Sequence, residues 1–238
     1  MARRRELLAK VTGYAGSVED QGRAAGVVRL SRVEKKLAAA DPPLGRVIEG
    51  VVARIGSQVI PPSKTKPFEA LARAIVYQSV SGAAAATIFH RLEDTVGLRF
   101  DPKQLLGYLN KGAAASGLSQ SKKSALHGLA EWFITNPKQA RGLARASDED
   151  IVETLTAISG IGAWTVNVFL IFNLGRENVL PAGDLGIRRG VQLVCGLKVP
   201  ATPTQVRDRA QRWEPYRSIA CVYLWNAVKL KMTAADAK

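Results

Sequence analysis

Between residues 155 and 166 the chain must leave one helix, turn and enter another with almost no room to do so. The stretch reads Leu155-Thr156-Ala157-Ile158-Ser159-Gly160-Ile161-Gly162-Ala163-Trp164-Thr165-Val166. Leu155, Ile158, Ile161 and Val166 keep apolar residues on an inward face. Gly160 and Gly162 let the backbone take dihedrals closed to other residues and approach a ligand closely. The first amides of the second helix have no intrahelical partner. Together with the helix dipole they make a small positive site suited to a phosphate oxygen. From these residues alone an ordinary interhelical loop reads the same way.

The rest of the sequence is punctuated as helices. Arg32 to Leu44 opens helically and stops at Asp41-Pro42-Pro43, and Gly45 to Ile60 is a second helical segment with Val47, Ile48, Val51, Val52 and Ile55 in phase. Residues 61–67 read as a proline-rich linker. Phe68, Leu71, Ile75 and Ser79 share a face of a helix beginning near Pro67, and Ile88, Phe89, Leu92 and Val96 continue beyond Gly82. Asp101-Pro102, Ser147 and Thr202-Pro203-Thr204-Gln205 are helix starts, and residues 216–230 make a strongly apolar final helix. Strand-like alternation is scarce, so the expected fold class is all-α.

Lysine and arginine number 34 against 20 aspartate and glutamate, a formal net charge of +14. Such an excess favours polyanions, nucleic acid first; a soluble basic surface with no partner is the plain alternative. No apolar run approaches the roughly 18 residues of a membrane span, and residues 1–30 lack the amphipathic pattern of a membrane-surface helix. The basic start is not followed by a signal-length apolar stretch, so a cytoplasmic (bacterial nucleoid) or nuclear setting is expected. Cys195 and Cys221 lie among apolar neighbours and read as buried thiols. Two cysteines cannot build a four-cysteine iron–sulfur or zinc site, and His90 and His127 are far apart, so no metal site is expected.

Beyond the hairpin, Leu180-Pro181-Ala182-Gly183-Asp184-Leu185-Gly186-Ile187 brings an aspartate to the start of a further helix. By itself an aspartate after Pro-Ala-Gly is a helix N-cap far more often than a catalyst. The hairpin followed by a Gly/Pro-rich loop and this aspartate resembles the helix-hairpin-helix (HhH-GPD) DNA glycosylase superfamily. Phe68-Glu69-Ala70-Leu71 through Gln78-Ser79-Val80-Ser81, Gly117-Leu118-Ser119 with Lys122, and Trp213-Glu214-Pro215-Tyr216-Arg217-Ser218 with Tyr223-Leu224-Trp225 extend the resemblance over most of residues 66–230. They are similar to the DNA-3-methyladenine glycosylase II (AlkA-like) branch.

The resemblance implies two helical lobes with a DNA-binding cleft between them. Residues 67–179 would carry the hairpin, residues 31–66 and 180–238 the other lobe, and residues 1–30 a basic flexible arm. It implies Asp184 as the catalytic carboxylate and Trp164, Tyr216 and Gln78 as the base pocket. DNA contacts would come from Gly160, Ile161, Gly162 and Thr165 of the hairpin, from the wedge loop Ser79, Val80 and Ser81, and from Lys122. Packing in the core is the equal alternative for both Trp164 and Tyr216. Ser79 stands where the family often has leucine or glutamine as the wedge, with Val80 as substitute, and Val168 where some relatives have an aromatic pocket wall.

Strand-cleaving relatives place a Schiff-base lysine where this chain has Trp164. The implied activity is therefore excision of alkylated purines of the 3-methyladenine type by water, with no lyase step. The expected partner is double-stranded DNA containing damaged bases, bound by a monomer. No cofactor is required, although a monovalent cation at the hairpin carbonyls belongs to the resemblance. Excision of deaminated or other lesions, and a non-catalytic hairpin protein that only binds DNA, remain the alternatives.

Overall fold

The computed structural model describes residues 29–59, 63, 65–97, 100–113 and 116–237. The arm read from residues 1–30 lies, up to residue 28, outside them. Among the described residues the secondary structure is helical throughout, with no strand. In chain order the helices are α1 (Arg32–Ala40), α2 (Pro42–Ile55), α3 (Pro67–Tyr77), α4 (Gly82–Val96), α5 (Pro102–Asn110) and α6 (Gln120–Thr135). They continue with α7 (Pro137–Gly142), α8 (Asp148–Thr156), α9 (Ala163–Phe169), α10 (Leu185–Cys195), α11 (Pro203–Ala210) and α12 (Arg217–Lys229). None is long and apolar enough to cross a membrane.

The chain divides into two compact units, one built from α1, α2 and α10–α12, the other from α3–α9. In the first, α12 is buried at every position from Ser218 to Ala227. A helix apolar on all sides must sit at the centre of its unit, and α2 and α10 pack against it. The chain enters this unit at Arg176 rather than at residue 180. Residues 177–179 are tied to the start of α12: Ser218 N–H donates to the Glu177 carbonyl (2.9 Å), Val179 N–H to Ser218 Oγ (2.9 Å) and Arg217 Nε to Asn178 Oδ1 (2.8 Å).

Asp41-Pro42-Pro43, read as a stop, is a stop and a start at once. Asp41 closes α1, accepts from Leu44 N–H as the N-cap of α2, and puts proline in the first turn where no amide is required. The helix therefore begins three residues before Gly45 and ends at Ile55, ahead of Gly56 with φ +80°. Cys195 is also corrected. It is exposed, because Leu193 and Val194 take the inward positions of the last turn of α10.

A buried carboxylate joins α1 to α12. Glu34, fully buried, accepts from the Tyr223 and Ser57 hydroxyls and from Ser31 N–H. Burial alone would raise its pKa; the hydrogen bonds from Ser57, Tyr223 and Ser31 outweigh it and hold the carboxyl below its ordinary 4.5. A depressed carboxylate contributes stability that is complete above the unfolded value and lost as pH falls through the folded one. Glu34→Gln is thus expected to lower the thermal midpoint near neutral pH and to converge on wild type in acid. Midpoints measured down a pH series check this; a gap independent of pH would refute it.

In the second unit α3 is central, with Phe68, Leu71, Ala72 and Ala74–Tyr77 buried, and α4, α6 and α9 pack on it. Phe68 meets Phe100 at a tilt and Phe133 edge-on, and Phe89 stacks on Phe100, with centroids 5.2–5.8 Å apart. Ser79 does not continue the α3 face. The helix ends at Tyr77, and Ser79 takes φ +54°.

Candidate active site

The hairpin of the second unit forms as its sequence requires, but its two glycines do different work. α8 ends at Thr156 and α9 begins at Ala163. Gly160 has φ +83°, and a Cβ on it would lie 2.6 Å from Ala125 Cβ of α6. Its missing side chain lets the turn close on α6. Gly162 has φ −93°, ordinary extended backbone, and open space where its side chain would be. Gly160→Ala is therefore expected to cost on the order of 2–5 kcal/mol through left-handed backbone and overpacking. Gly162→Ala should cost less than about 1 kcal/mol, as an N-cap exchange. Thermal denaturation of both variants checks the ordering.

The remaining hairpin positions also separate. Ile161 and Thr165 are buried, so Ile161 can offer only its backbone to DNA. Thr165 N–H donates to the Gly162 carbonyl (3.0 Å) and its hydroxyl accepts from Gln78 Nε2 (2.7 Å). Gln78 Nε2 also meets the Gly160 carbonyl (3.2 Å). The amide expected in a base pocket thus ties the end of α3 to the hairpin. Just beyond it Ser79, Val80 and Ser81 are exposed, with Ser81 capping α4 through Ala84 N–H. Val80, 40% exposed, is the apolar tip of this loop.

Lys122 is corrected as a DNA contact. It is 8% exposed and its Nζ donates to the Val76 carbonyl at 2.7 Å, and burial lowers its pKa. A cation there satisfies the C-terminal end of α3 and, in this position, does not offer its charge to a phosphate. Val168 is buried in the core. Trp164, at the second position of α9, is half-buried.

In the first unit, Asp184 takes the capping place its sequence position allowed. It is the N-cap of α10, Oδ1 accepting from Ile187 N–H at 2.8 Å, and it is only half-buried. The positive end of the helix dipole favours negative charge there. The same Oδ1 accepts from Trp225 Nε1 at 2.8 Å. Behind it, fully buried Cys221 has its thiol pKa raised, first by burial and then by the Asp184 charge, so it is unreactive. Tyr216 is half-buried at the head of α12, its hydroxyl receiving Lys36 Nζ at 3.2 Å. Lys36 Nζ also lies over the ring, 5.3 Å from its centroid.

A hairpin of this form, followed by a capped aspartate, is matched by the family model for the HhH-GPD superfamily base excision DNA repair proteins over residues 72–215. The chain belongs to this superfamily.

Its similarity within the HhH-GPD superfamily runs to the 3-methyladenine branch. DNA-3-methyladenine glycosylase 1 of Schizosaccharomyces pombe is 35% identical over 170 residues, 70% of this chain and 75% of the relative. A structure of the 3-methyladenine DNA glycosylase of the same yeast, in complex with abasic DNA, matches with a TM-score of 0.72 and 31% identity, covering 84% of this chain and 97% of that one. A DNA-3-methyladenine glycosidase from Bacillus halodurans matches with a TM-score of 0.70 and 31% identity over 86% and 93% of the two chains.

The sequence places Trp225 in a family motif but gives it no role at Asp184. Gly186 was passed over. The available signal was two glycines one helical turn apart, Gly186 and Gly190, inside an otherwise regular amphipathic helix.

Proposed function

We propose that this protein is a monofunctional DNA glycosylase that excises alkylated purines of the 3-methyladenine type from double-stranded DNA. The observation that carries the reading is the half-exposed Asp184 carboxylate, fixed at a helix N-terminus by Ile187 N–H and the Trp225 indole, in a chain of a base excision repair family. A base within a duplex cannot be reached, so it is flipped out, and a damaged base costs less to unstack. Val80, exposed at the tip of its loop, suits the space the base leaves. Tyr216, half-buried at the head of α12 in the same unit as Asp184, supplies an aromatic ring for a cationic base, worth roughly 0.5–2 kcal/mol.

Breaking the N-glycosidic bond builds positive charge on the sugar, as in glycoside hydrolysis. Asp184 stabilises that charge and orients the attacking water. An alkylated purine is already cationic and leaves without a strong general acid. With tryptophan at position 164, the reading has no Schiff-base step and no lyase activity. It needs no cofactor. A monovalent cation fits the donor chemistry of the hairpin turn, since the Gly160 carbonyl that meets Gln78 has a second lone pair. Bound there, the ion would add positive charge beside a phosphate.

The test is release of bases from methylated duplex DNA, identified by chromatography, with strands examined before and after alkali. Free methylated purine with breaks only after alkali is expected, and affinity for the duplex should fall steeply with salt. Breaks without alkali would remove the monofunctional assignment. Tight binding without release from methylated, deaminated and other lesion-bearing duplexes would leave a non-catalytic binder.

A further inference from the structure

Helices α10 and α12 meet through glycine. A Cβ on Gly190 would lie 2.6 Å from Leu224 Cβ and 3.1 Å from its Cα. One turn earlier, a Cβ on Gly186 would lie 2.7 Å from Trp225 Cδ1, 3.1 Å from its Nε1 and 3.0 Å from Asp184 Oδ1. A side chain at Gly190 would press the helices apart, and one at Gly186 would displace the Trp225 indole from Asp184. Glycine inside a helix destabilises it relative to alanine, and α10 has one at two successive turns of the same face. What the close approach obtains is a hydrogen bond between groups 41 residues apart, Trp225 Nε1–H on Asp184 Oδ1. The cap bond from Ile187 N–H already suffices to start α10. The indole adds a second donor on the same oxygen, from a different helix, and so fixes the carboxylate plane as well as its position.

We infer that Trp225 is a positioning residue for the Asp184 carboxylate during base excision, and that Gly186 is the residue that admits it. The inference rests on the reading of Asp184 as the catalytic group. A carboxylate that stabilises a developing cation is effective when it need not reorient as the charge forms. Without the indole, the carboxylate has more freedom to turn about its Cβ–Cγ bond. Trp225 itself is 8% exposed, so its effect is exerted through the aspartate.

The experiment is single-turnover excision from methylated duplex DNA at saturating enzyme, for wild type, Trp225→Phe, Gly186→Ala, the double variant and Asp184→Asn. Duplex affinity is measured alongside. Trp225→Phe deletes the donor while keeping an aromatic ring; Gly186→Ala keeps the indole but pushes it off the carboxylate. Each single variant is expected to lose about 10–100-fold in rate, the scale of a small misplacement of a reacting group, with affinity unchanged. The double variant is expected to be no slower than the slower single, because both break one hydrogen bond. Wild-type rates in both singles, or losses that multiply in the double, would overturn the inference. If Asp184→Asn keeps the wild-type rate, the fault lies instead with the catalytic reading. Should Trp225→Phe fold poorly, Gly186→Ala decides alone: a lost rate with duplex affinity intact supports the inference, and a wild-type rate overturns it.

Discussion

Asp184→Asn is expected to reduce base release from methylated duplex DNA by about 10²–10³-fold, the scale of removing one preorganised electrostatic group, while leaving duplex affinity and thermal midpoint near wild type. The substitution is informative because of what it preserves. Asparagine is as good an N-cap as aspartate, and its Oδ1 can still accept from Ile187 N–H and Trp225 Nε1, which now meet Asp184 at 2.8 Å each. The charge is removed, and the second carboxylate oxygen becomes an amide NH2 donor. Asp184→Ala, by contrast, also removes the cap, at a cost of about 1 kcal/mol, and so mixes stability with chemistry. Comparing the two separates the cap from the proposed chemistry. If Asp184→Asn excises at the wild-type rate, the aspartate is a cap alone and the catalytic group is elsewhere.

Local features were legible in the sequence and distant partnerships were not. The hairpin was readable because Gly160 and the apolar positions around it encode their own turn, and it forms with φ +83° at that glycine. The starts at Asp101, Ser147 and Thr202 were readable for the same reason: each cap bonds to amides within three residues. The boundary after Asp41 was missed because one residue both ends α1 and caps α2. The resemblance gives Lys122 to DNA, and the structure gives it to the Val76 carbonyl 46 residues away. Gln78 was placed in a pocket, and its amide is spent on the hairpin. Periodicity shows which face of a helix is buried but not which helix meets it, and a polar side chain's partner depends on that meeting. Cys195 shows the same limit within one helix: apolar neighbours suggested burial, and the helical phase of the last turn decided otherwise.

Asp41 carries the second large effect, on stability, and for a reason the sequence hides. Its carboxylate is fully buried. It accepts from Arg209 through both Nε (2.8 Å) and Nη2, from Trp213 Nε1 (2.8 Å) and from Leu44 N–H (3.3 Å). One group thereby joins the α1–α2 corner to α11 and to the turn that leads into Tyr216. Asp41→Ala would leave a guanidinium 17% exposed and a fully buried indole N–H without their acceptor. Breaking a buried pair from one side costs about 3–5 kcal/mol. At about 2–4 °C per kcal/mol for a chain of this size, the thermal midpoint should fall by roughly 6–20 °C. The ion pair of Arg217 with Glu214 has a similar separation, 3.0 Å, but Glu214 is 51% exposed. Solvent screens that pair, and Glu214→Ala should cost no more than about 1 kcal/mol. Calorimetry of the two alanine variants side by side measures the contrast directly. A midpoint for Asp41→Ala within a few degrees of Glu214→Ala would mean that water enters the corner and replaces the carboxylate, and that the turn before Tyr216 is held by its apolar packing instead.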